Sequence, residues 1–281
     1  MNRLGLRRKS HVLWTPNQLS DGSLYAQFDA SVPSSFSLVN SGGIDYVSTW
    51  RSLIGGGSKT LTRSTSSRRP YYKTSAFSSK MCVQFDHNSS DTTNDFLDGF
   101  NVGAFNATNA PLNMFAACRQ TAPTIRAATG DSTENYMTIF GFEGYPGLIS
   151  LACNASGMQV GVLAGWWNNA LTVQKSPQIN TPNLYRNLTC FGGTIFGGLS
   201  GTWWVSTYLG NYIPRGSSST EASNRRQYPY VNCGIGCSLR NGGSFAYPFQ
   251  GELYELLLIT GNVTEFTKIK ILEYLRAKWG P

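Results

Sequence analysis

Charged side chains are scarce in this sequence, at 14% of 281 residues, where an average soluble protein carries about 25%. No apolar run approaches the roughly 20 residues that a membrane-spanning helix requires. A coiled coil or helical bundle is excluded as well, because those architectures need abundant Ala, Glu, Lys and Leu. Aromatic residues are plentiful instead, at 13%, and this much buriable surface argues against global disorder. The composition predicts a β-rich globular chain with a polar surface.

Patterns of metal-binding and nucleophilic residues are equally sparse. There are two histidines, His11 and His87, and six cysteines without a Cys-x-x-Cys pair. A structural zinc site needs four converging ligands at suitable spacing, and no Gly-x-Ser-x-Gly nucleophile elbow is present. We therefore predict no metal site and no catalytic residue. The cysteines are expected to be mostly free thiols that behave as small buried apolar side chains.

Short segments that alternate apolar and polar residues recur along the chain, as half-buried strands do. The first, at 23–29, reads Ser-Leu-Tyr-Ala-Gln-Phe-Asp. Further strands are predicted at 81–86, 94–97, 113–118, 135–140, 148–153, 159–164, 184–196, 203–208, 230–235 and 252–260. Strands this short and frequent, separated by Gly, Asn and Ser, predict a β-sandwich or jelly roll and not a parallel α/β sheet.

One amphipathic helix is predicted at 264–279. Thr264 suits the N-cap position, and Glu265 lies next to the positive end of the helix dipole. Apolar residues recur there at three- and four-residue spacing and form one stripe: Phe266, Ile269, Leu272, Leu275 and Trp279. Because such a stripe must dock on the sandwich, the sequence predicts an all-β domain with one C-terminal α-helix.

The first 20 residues differ from the rest of the chain in their charge. They hold the one dense basic cluster: Arg3, Arg7, Arg8 and Lys9. No acid precedes Asp21, and a basic segment of this kind can dock on an acidic partner. No nucleic-acid-binding signature accompanies it, so we predict protein partners and no specific nucleic acid. Since no internal repeat or linker run follows, one domain at 21–281 is expected behind an N-terminal arm at 1–20.

Two groups of motifs point to a known family. The opening group comprises an aromatic-Asp strand at 24–30, Trp50 before three glycines at 55–57, Arg69-Pro70, and Val83-Gln-Phe-Asp86. The closing group is a strand at 251–259 and a helix that ends in Lys278-Trp279-Gly280. Together they resemble laminin-G-like (concanavalin A-like) jelly-roll domains, and the closing group is similar to versions from phages and bacterial surface proteins. The resemblance covers about residues 23–280 and implies a concanavalin A-like β-sandwich. It implies no single function, because this fold serves lectins, glycanases, lyases and structural modules.

Paired carboxylates, which glycanases of this fold carry as Glu-x-Asp-x-x-Glu on one strand, are missing among the fifteen acids. Glu252 and Glu255 are three residues apart, so on a regular strand they face opposite sides. Asp91, Asp95 and Asp98 lie in a Ser/Thr/Asn-rich loop that we interpret as a solvated turn, with Ca²⁺ held by their oxygens as the alternative. We therefore predict a protein that is not an enzyme and has no cofactor.

Glycan binding has better support in the sequence. Sugars place apolar C–H faces on aromatic rings, while their hydroxyls bond amide and carboxylate groups. Trp166, Trp167, Asn168 and Asn169 combine two indoles with two amides in a segment that we predict to be a loop. We assign these four residues as the glycan-binding site, and a protein interface is the alternative for the two Trp side chains.

The resemblance of the closing helix to phage proteins leads to a functional prediction. We expect a non-enzymatic phage virion protein, either a tail-fibre or tail-tip component or a capsid-decoration protein, assembled in the host cytoplasm. Its arm joins other virion proteins, its jelly roll binds host-surface polysaccharide, and the chain forms a homo-oligomer. The alternative is a carbohydrate-active enzyme or lectin of bacterial origin that acts on polysaccharide.

Overall fold

Strands dominate the part of the chain that the structure describes. The computed structural model describes residues 14–55, 58–86, 95–99, 111–121, 136–144, 147–154, 159–168, 170–172, 179–180, 187–197, 203–209, 215–216, 233–239, 245–246 and 249–280. The strands are β1 (Ser23–Asp29), β2 (Phe36–Ser41), β3 (Ile44–Arg51), β4 (Thr60–Thr62), β5 (Tyr71–Thr74), β6 (Met81–Phe85), β7 (Leu97–Asp98), β8 (Leu112–Gln120), β9 (Tyr136–Gly144), β10 (Gly147–Asn154), β11 (Gln159–Asn168), β12 (Ala170–Thr172), β13 (Ile179–Asn180), β14 (Thr189–Gly197), β15 (Trp203–Leu209), β16 (Arg215–Gly216), β17 (Gly234–Ile235), β18 (Ser238–Leu239), β19 (Phe245–Ala246) and β20 (Gly251–Thr260). The helix α1 is Glu265–Trp279, and no described helix is long and apolar enough to cross a bilayer.

The strands pair antiparallel and form a two-layered all-β sandwich of the jelly-roll kind, as predicted. In the first sheet the order of paired strands is β2, β3, β5, β6, β20, β8, β14, β15 and β16. Strand β1 pairs with the same side of β20 as β6 does, but with the second half of β20. In the second sheet they run β4, β7, β17, β9, β10 and β11, and β11 also pairs with β12 and β13. Strand β3 connects the sheets, because Tyr46 pairs with β5 whereas residues 49–51 pair with β4.

The hydrophobic core lies between the two sheets. Side chains with no exposed surface come from both: Phe28, Trp50, Val83, Leu253 and Leu256 from the first sheet, and Leu61, Phe140 and Ile235 from the second. Each fully buried large apolar side chain stabilises the fold by about 1.5–3 kcal/mol. The five cysteines whose side chains the structure describes are also buried, as predicted from their apolar surroundings.

The C-terminal helix forms as predicted, with a different buried face. Thr264 is the N-cap, and its hydroxyl accepts a hydrogen bond from the backbone N–H of Thr267 at 3.3 Å. The prediction that Phe266 belongs to the docked stripe is wrong, because this side chain is 65% exposed. Three residues of the predicted stripe, Leu272, Leu275 and Trp279, are buried as expected, and the helix also buries Ile271 and Tyr274, so its buried face is turned towards that side. Polar contacts beneath the helix account for this rotation.

Glu255 is the hub of these polar contacts. Its fully buried carboxylate accepts hydrogen bonds from Trp279 Nε1 at 2.6 Å and from Tyr274 Oη at 3.0 Å, and forms an ion pair with Lys278 Nζ at 2.8 Å. Lys278 also pairs with Asp29 of β1. Since desolvation of a lone carboxylate is costly, these helix groups fix α1 against the outer face of the first sheet, the face opposite the core.

The chain before β1 packs beside the same helix. The rings of Trp14 and Tyr274 meet edge-on, with centroids 6.4 Å apart. Asp21 Oδ2 accepts a hydrogen bond from the backbone N–H of Thr264 at 2.7 Å. The first described segment and the last helix therefore share one side of the sandwich, whereas the division at residue 20 stays a prediction.

Strands β2 and β3 form a hairpin that the sequence analysis did not predict. Its two-residue turn is Gly42-Gly43, with φ of +61° and +80°. Both angles lie in the left-handed region that glycine adopts without steric cost, as tight hairpin turns with the twist of the strands require. The hairpin positions the aromatic residues of the site described next.

Candidate functional site

A row of directly opposed residues crosses the outer face of the first sheet. In register order across six strands the row is Val39, Tyr46, Tyr71, Gln84, Glu252 and Arg119. Directly opposed residues of neighbouring antiparallel strands share a face. The core-facing neighbours along two of these strands, Tyr72 and Val83, confirm that the row lies on the opposite, outer side. The fold therefore aligns aromatic and amide groups that are distant in sequence.

The exposed part of the row is a pair of tyrosines beside an amide. The rings of Tyr46 and Tyr71 are 5.2 Å apart between centroids and tilted by 45°. Both residues and Gln84 are only partly buried. The Gln84 amide donates a hydrogen bond to Asp86 Oδ1 at 2.7 Å. We call Tyr46, Tyr71, Gln84 and Asp86 the tyrosine surface.

A second carboxyl group, that of Asp95, lies beside the tyrosine surface. Its Oδ2 accepts a hydrogen bond from the backbone N–H of Asp86 at 3.1 Å, and its own N–H donates to the Asp86 carbonyl at 3.4 Å. Asp95 is 6% exposed. Burial, with the negative charge of Asp86 adding to it, raises the pKa of the Asp95 carboxyl from 3.8 to about 7. Asp95 is therefore half protonated near neutral pH, which is unusual for a carboxyl group.

Electrostatics also connects these carboxyls to the tyrosines. Burial raises the pKa of the Tyr71 hydroxyl, and the charges of Asp95 and Asp86 raise it further. The arrangement offers aromatic faces for stacking, an amide and a carboxylate for hydroxyl groups, and a proton on Asp95. These are the groups that saccharide binding uses, and a carboxyl that keeps a proton at neutral pH can serve as a general acid.

The far end of the row is a closed hydrogen-bonding cluster. Glu252 Oε2 accepts hydrogen bonds from Arg119 Nε at 3.0 Å, Tyr254 Oη at 2.6 Å and Ser75 Oγ at 2.8 Å. Burial opposes ionisation of Glu252, but these donors outweigh it and lower the pKa of the carboxyl. Glu252 is 1% exposed, so its carboxylate is held by these donors and anchors this end of the row.

The expectation that Glu252 and Glu255 face opposite sides is wrong. A β-bulge at Tyr254 inserts one extra residue, so Glu252 is opposite Arg119 while Glu255 is opposite Ala117. Arg119 and Ala117 are two residues apart on β8 and share a face. The bulge therefore brings both glutamates to the outer face, each in its own cluster.

The predicted glycan site lies in a different environment from the one expected. Trp166, Trp167 and Asn168 extend β11 and pair with Thr172, Leu171 and Ala170, so their backbone is a strand and the predicted loop is wrong. Asn169 and the side chains of all four residues lie outside the described part, and their glycan role stays a prediction. The same holds for the arm cluster, which lies within 1–13: Arg3, Arg7, Arg8 and Lys9.

The acids of the calcium alternative are only partly described. Asp91 lies outside the described residues, and Asp98 pairs with Arg63 at 3.2 Å. Within the described ranges no three His, Cys, Asp or Glu side chains are grouped as metal ligands. Calcium near Asp91, Asp95 and Asp98 stays a prediction.

Sequence reasoning missed the tyrosine surface because its members carry no motif. Tyr46 and Tyr71 are two of 14 tyrosines, and they meet only through the pairing of β3 with β5. Asp86 and Asp95 flank a segment of eight residues, so no strand spacing reveals them as neighbours. A usable signal was the Gly42-Gly43 turn, which would have placed Tyr46 on a hairpin strand.

Comparison with known proteins supports the fold. No protein-family model matches the chain, and no curated protein matches it. Among solved structures, an arabinofuranosidase complexed with arabinofuranosyl-α-1,2-xylobiose is similar over 92% of this chain, at 12% identity and a TM-score of 0.54. The chain spans 60% of that enzyme's length. Two further solved structures are also similar. The CBM40 of the Ruminococcus gnavus IT-sialidase has 10% identity over 68% of this chain and 96% of that one, with a TM-score of 0.40. The Trypanosoma rangeli sialidase has 10% identity over 91% of this chain and 33% of that one, with a TM-score of 0.45.

These likenesses correct one prediction and confirm another. The expectation of a non-enzymatic protein is contradicted, because a solved structure similar to this chain, the arabinofuranosidase, is an enzyme. The phage context gains no support from them, and the virion assignment stays a prediction. At 12% identity the arabinofuranosidase likeness shows a shared fold and nothing further, and in this chain that fold is the jelly-roll β-sandwich.

Proposed function

We propose that this chain is a carbohydrate-active β-sandwich that holds a polysaccharide on its tyrosine surface. The observation that carries the proposal is the pair of partly exposed rings, Tyr46 and Tyr71, 5.2 Å apart and flanked by the Gln84 amide and the Asp86 carboxylate. Aromatic faces beside polar groups with fixed orientation are the usual composition of a saccharide site. The fold shared with an arabinofuranosidase is compatible with such a role.

The length of the exposed row favours a polymer over a single sugar. Val39, Tyr46, Tyr71 and Gln84 lie on four adjacent strands. At a strand spacing of about 4.8 Å, the row is about 14 Å long. A surface of this length suits several linked sugar units, each stacking on or bonding to a different strand.

The two carboxyls extend the proposal from binding to cleavage. Glycoside hydrolysis commonly uses one protonated and one ionised carboxyl. Asp95, which keeps its proton near neutral pH, supplies the first, and Asp86 supplies the negative charge beside it. We assign Asp95 as the proton donor to the leaving oxygen of a sugar bound at the tyrosine surface, and Asp86 as the base that takes a proton from the water whose oxygen forms the new bond to the anomeric carbon.

Binding is tested by calorimetric titration with soluble polysaccharides that include arabinose-substituted xylan. Tyr71→Ala is expected to weaken binding about tenfold, because losing one stacked ring removes about 1.4 kcal/mol. Phe266→Ala is the matched control, since this ring is 65% exposed on α1 and is not a member of the row. Equal affinity of Tyr71→Ala and the wild type for the bound polysaccharide contradicts the assignment of the site.

Cleavage is tested on the polysaccharide that binds, by measuring the release of reducing ends. Asp95→Asn is expected to abolish turnover while binding persists, because the amide keeps the shape but donates no acidic proton. The wild-type rate is expected to fall as pH rises through about 7. Binding without turnover identifies a lectin, whereas turnover that survives Asp95→Asn assigns the acid elsewhere.

The virion location is compatible with this activity and stays a separate prediction. Its support is the resemblance of the closing helix to phage proteins and the basic cluster of the arm. Mass spectrometry of purified particles for peptides of this chain tests it directly. Their absence from particles removes the virion assignment and leaves the carbohydrate proposal intact.

A further inference from the structure

Strand β2 is an edge of the first sheet. It pairs with β3 on one side, and within the described residues no backbone hydrogen bond reaches its other side. Residues 38–41 are exposed. An uncovered edge of this kind presents a row of N–H and C=O groups to any strand that approaches.

The edge lacks the charged side chains and the proline with which proteins usually protect such strands, although its pairing with β3 has one register shift, between Ser37 and Leu38. Its sequence, Phe-Ser-Leu-Val-Asn-Ser, contains no charge and no proline. Lysine, proline and inward-pointing charges are the common protections of an exposed edge. Here Leu38 and Val39 instead leave 38% and 41% of their surface exposed. They lie on opposite faces of the strand, so a partner must cover apolar surface on both sides.

Two charged side chains of β3 flank the strip, one towards each of its ends. Asp45 accepts a hydrogen bond from the Asn40 amide at 2.8 Å, and Arg51 donates to the Ser37 hydroxyl at 2.8 Å. The chain as a whole carries a net charge of +8, which opposes the approach of two copies at most surfaces. Strand β2 itself adds no charge, and an antiparallel pairing of two copies places Asp45 of one copy at the same end as Arg51 of the other, so like charges do not face each other there.

We infer that β2 pairs antiparallel with β2 of a second copy of this chain across a two-fold axis. In such an arrangement the same strip contributes both sides of the contact, and each copy brings one apolar residue for either face. A six-residue strand pair is smaller than the about 1,200 Å² typical of stable interfaces. The dimer therefore dissociates on dilution. This inference does not depend on the proposed function.

The experiment is sedimentation velocity on the full chain from low micromolar to near-millimolar concentration. The wild type is expected to shift from monomer to dimer as concentration rises. Val39→Lys places a charge at the centre of the pairing and is expected to stay monomeric. Leu53→Lys is the matched control, because Leu53 is equally exposed at 40% but lies outside β2, and it is expected to dimerise like the wild type.

A cross-linking variant keeps the inference testable if Val39→Lys folds poorly. The two-fold axis brings position 39 close to its own copy, so Val39→Cys is expected to form a disulfide-linked dimer under mild oxidation. Leu53→Cys and the wild type are treated in parallel as controls. A wild type that stays monomeric throughout, or a Val39→Lys variant that dimerises like it, overturns the inference. Cross-linking of the controls as fast as Val39→Cys does the same.

Discussion

Replacing Asp95 by asparagine is expected to stabilise the protein, and increasingly so as pH rises. In the native state burial raises the pKa of this carboxyl to about 7, whereas its ordinary value is 3.8. Between these values the unfolded chain releases the proton while the native chain retains it, so deprotonation favours unfolding. The stability associated with Asp95 is therefore complete below pH 4 and is lost as pH rises through about 7.

The size of the effect follows from the difference between the two pKa values. A difference of about 3 corresponds to about 4 kcal/mol above pH 7, at 1.36 kcal/mol per pKa unit. Asparagine keeps an oxygen that can accept the Asp86 N–H and has no charge to bury. The advantage of Asp95→Asn over the wild type should therefore grow by about 2–3 kcal/mol between pH 5 and pH 8.

Guanidinium unfolding of both proteins at a series of pH values measures this difference. Asp45→Asn is the control, because it removes one carboxylate at the exposed hairpin tip and accounts for the change in net charge. Parallel curves of unfolding free energy against pH for Asp95→Asn and the wild type would refute the reasoning. They would mean that Asp95 ionises in the native state as easily as in the unfolded chain.

Two further substitutions test the packing around the outer face. Lys278→Met leaves the buried carboxylates of Glu255 and Asp29 without their cation, so the unfolding free energy at pH 8 should fall by about 3–5 kcal/mol. Chemical denaturation is expected to show a smaller loss of unfolding free energy at pH 5. Burial raises the pKa of Glu255, so a lower pH favours the protonated carboxyl, which needs no cation. An equal loss at both pH values contradicts this. Gly192→Ala places a Cβ 2.2 Å from the Phe115 ring and 2.5 Å from the Met114 carbonyl oxygen, and the resulting overpacking should cost about 1–3 kcal/mol. An unchanged melting temperature of this variant would show that the ring and the backbone both shift at little cost.

Local patterns in the sequence predicted the strands and the helix whose formation depends on residues that are close together in the chain. Strand β1 was predicted with the bounds Ser23–Asp29 that the structure has, because alternation marks a half-buried strand. Helix α1 follows from its Thr264 cap and apolar spacing. Its rotation could not be predicted, because the position of Glu255 beneath it depends on the bulge at Tyr254.

The site was less accessible to sequence reasoning for a related reason. The tyrosine surface exists through cross-strand pairing, which unites Tyr46 and Tyr71 from separate segments. Asp86 and Asp95 become neighbours through backbone hydrogen bonds that close a loop. A search for paired acids at strand spacing examines one strand at a time, so it does not detect carboxyls that the tertiary fold brings together.

The packing of Trp14 against Tyr274 makes this sandwich suitable for insertion into another protein. Trp14 contacts Tyr274 of α1. The helix ends at Trp279, five residues after Tyr274 and about 8 Å further along the helix axis at 1.5 Å per residue. Neighbouring entry and exit points allow a domain to be grafted into a surface loop of a host protein without forcing the loop apart. A host that carries the chain in this way holds it from the α1 side of the first sheet, so the second sheet faces away from the host.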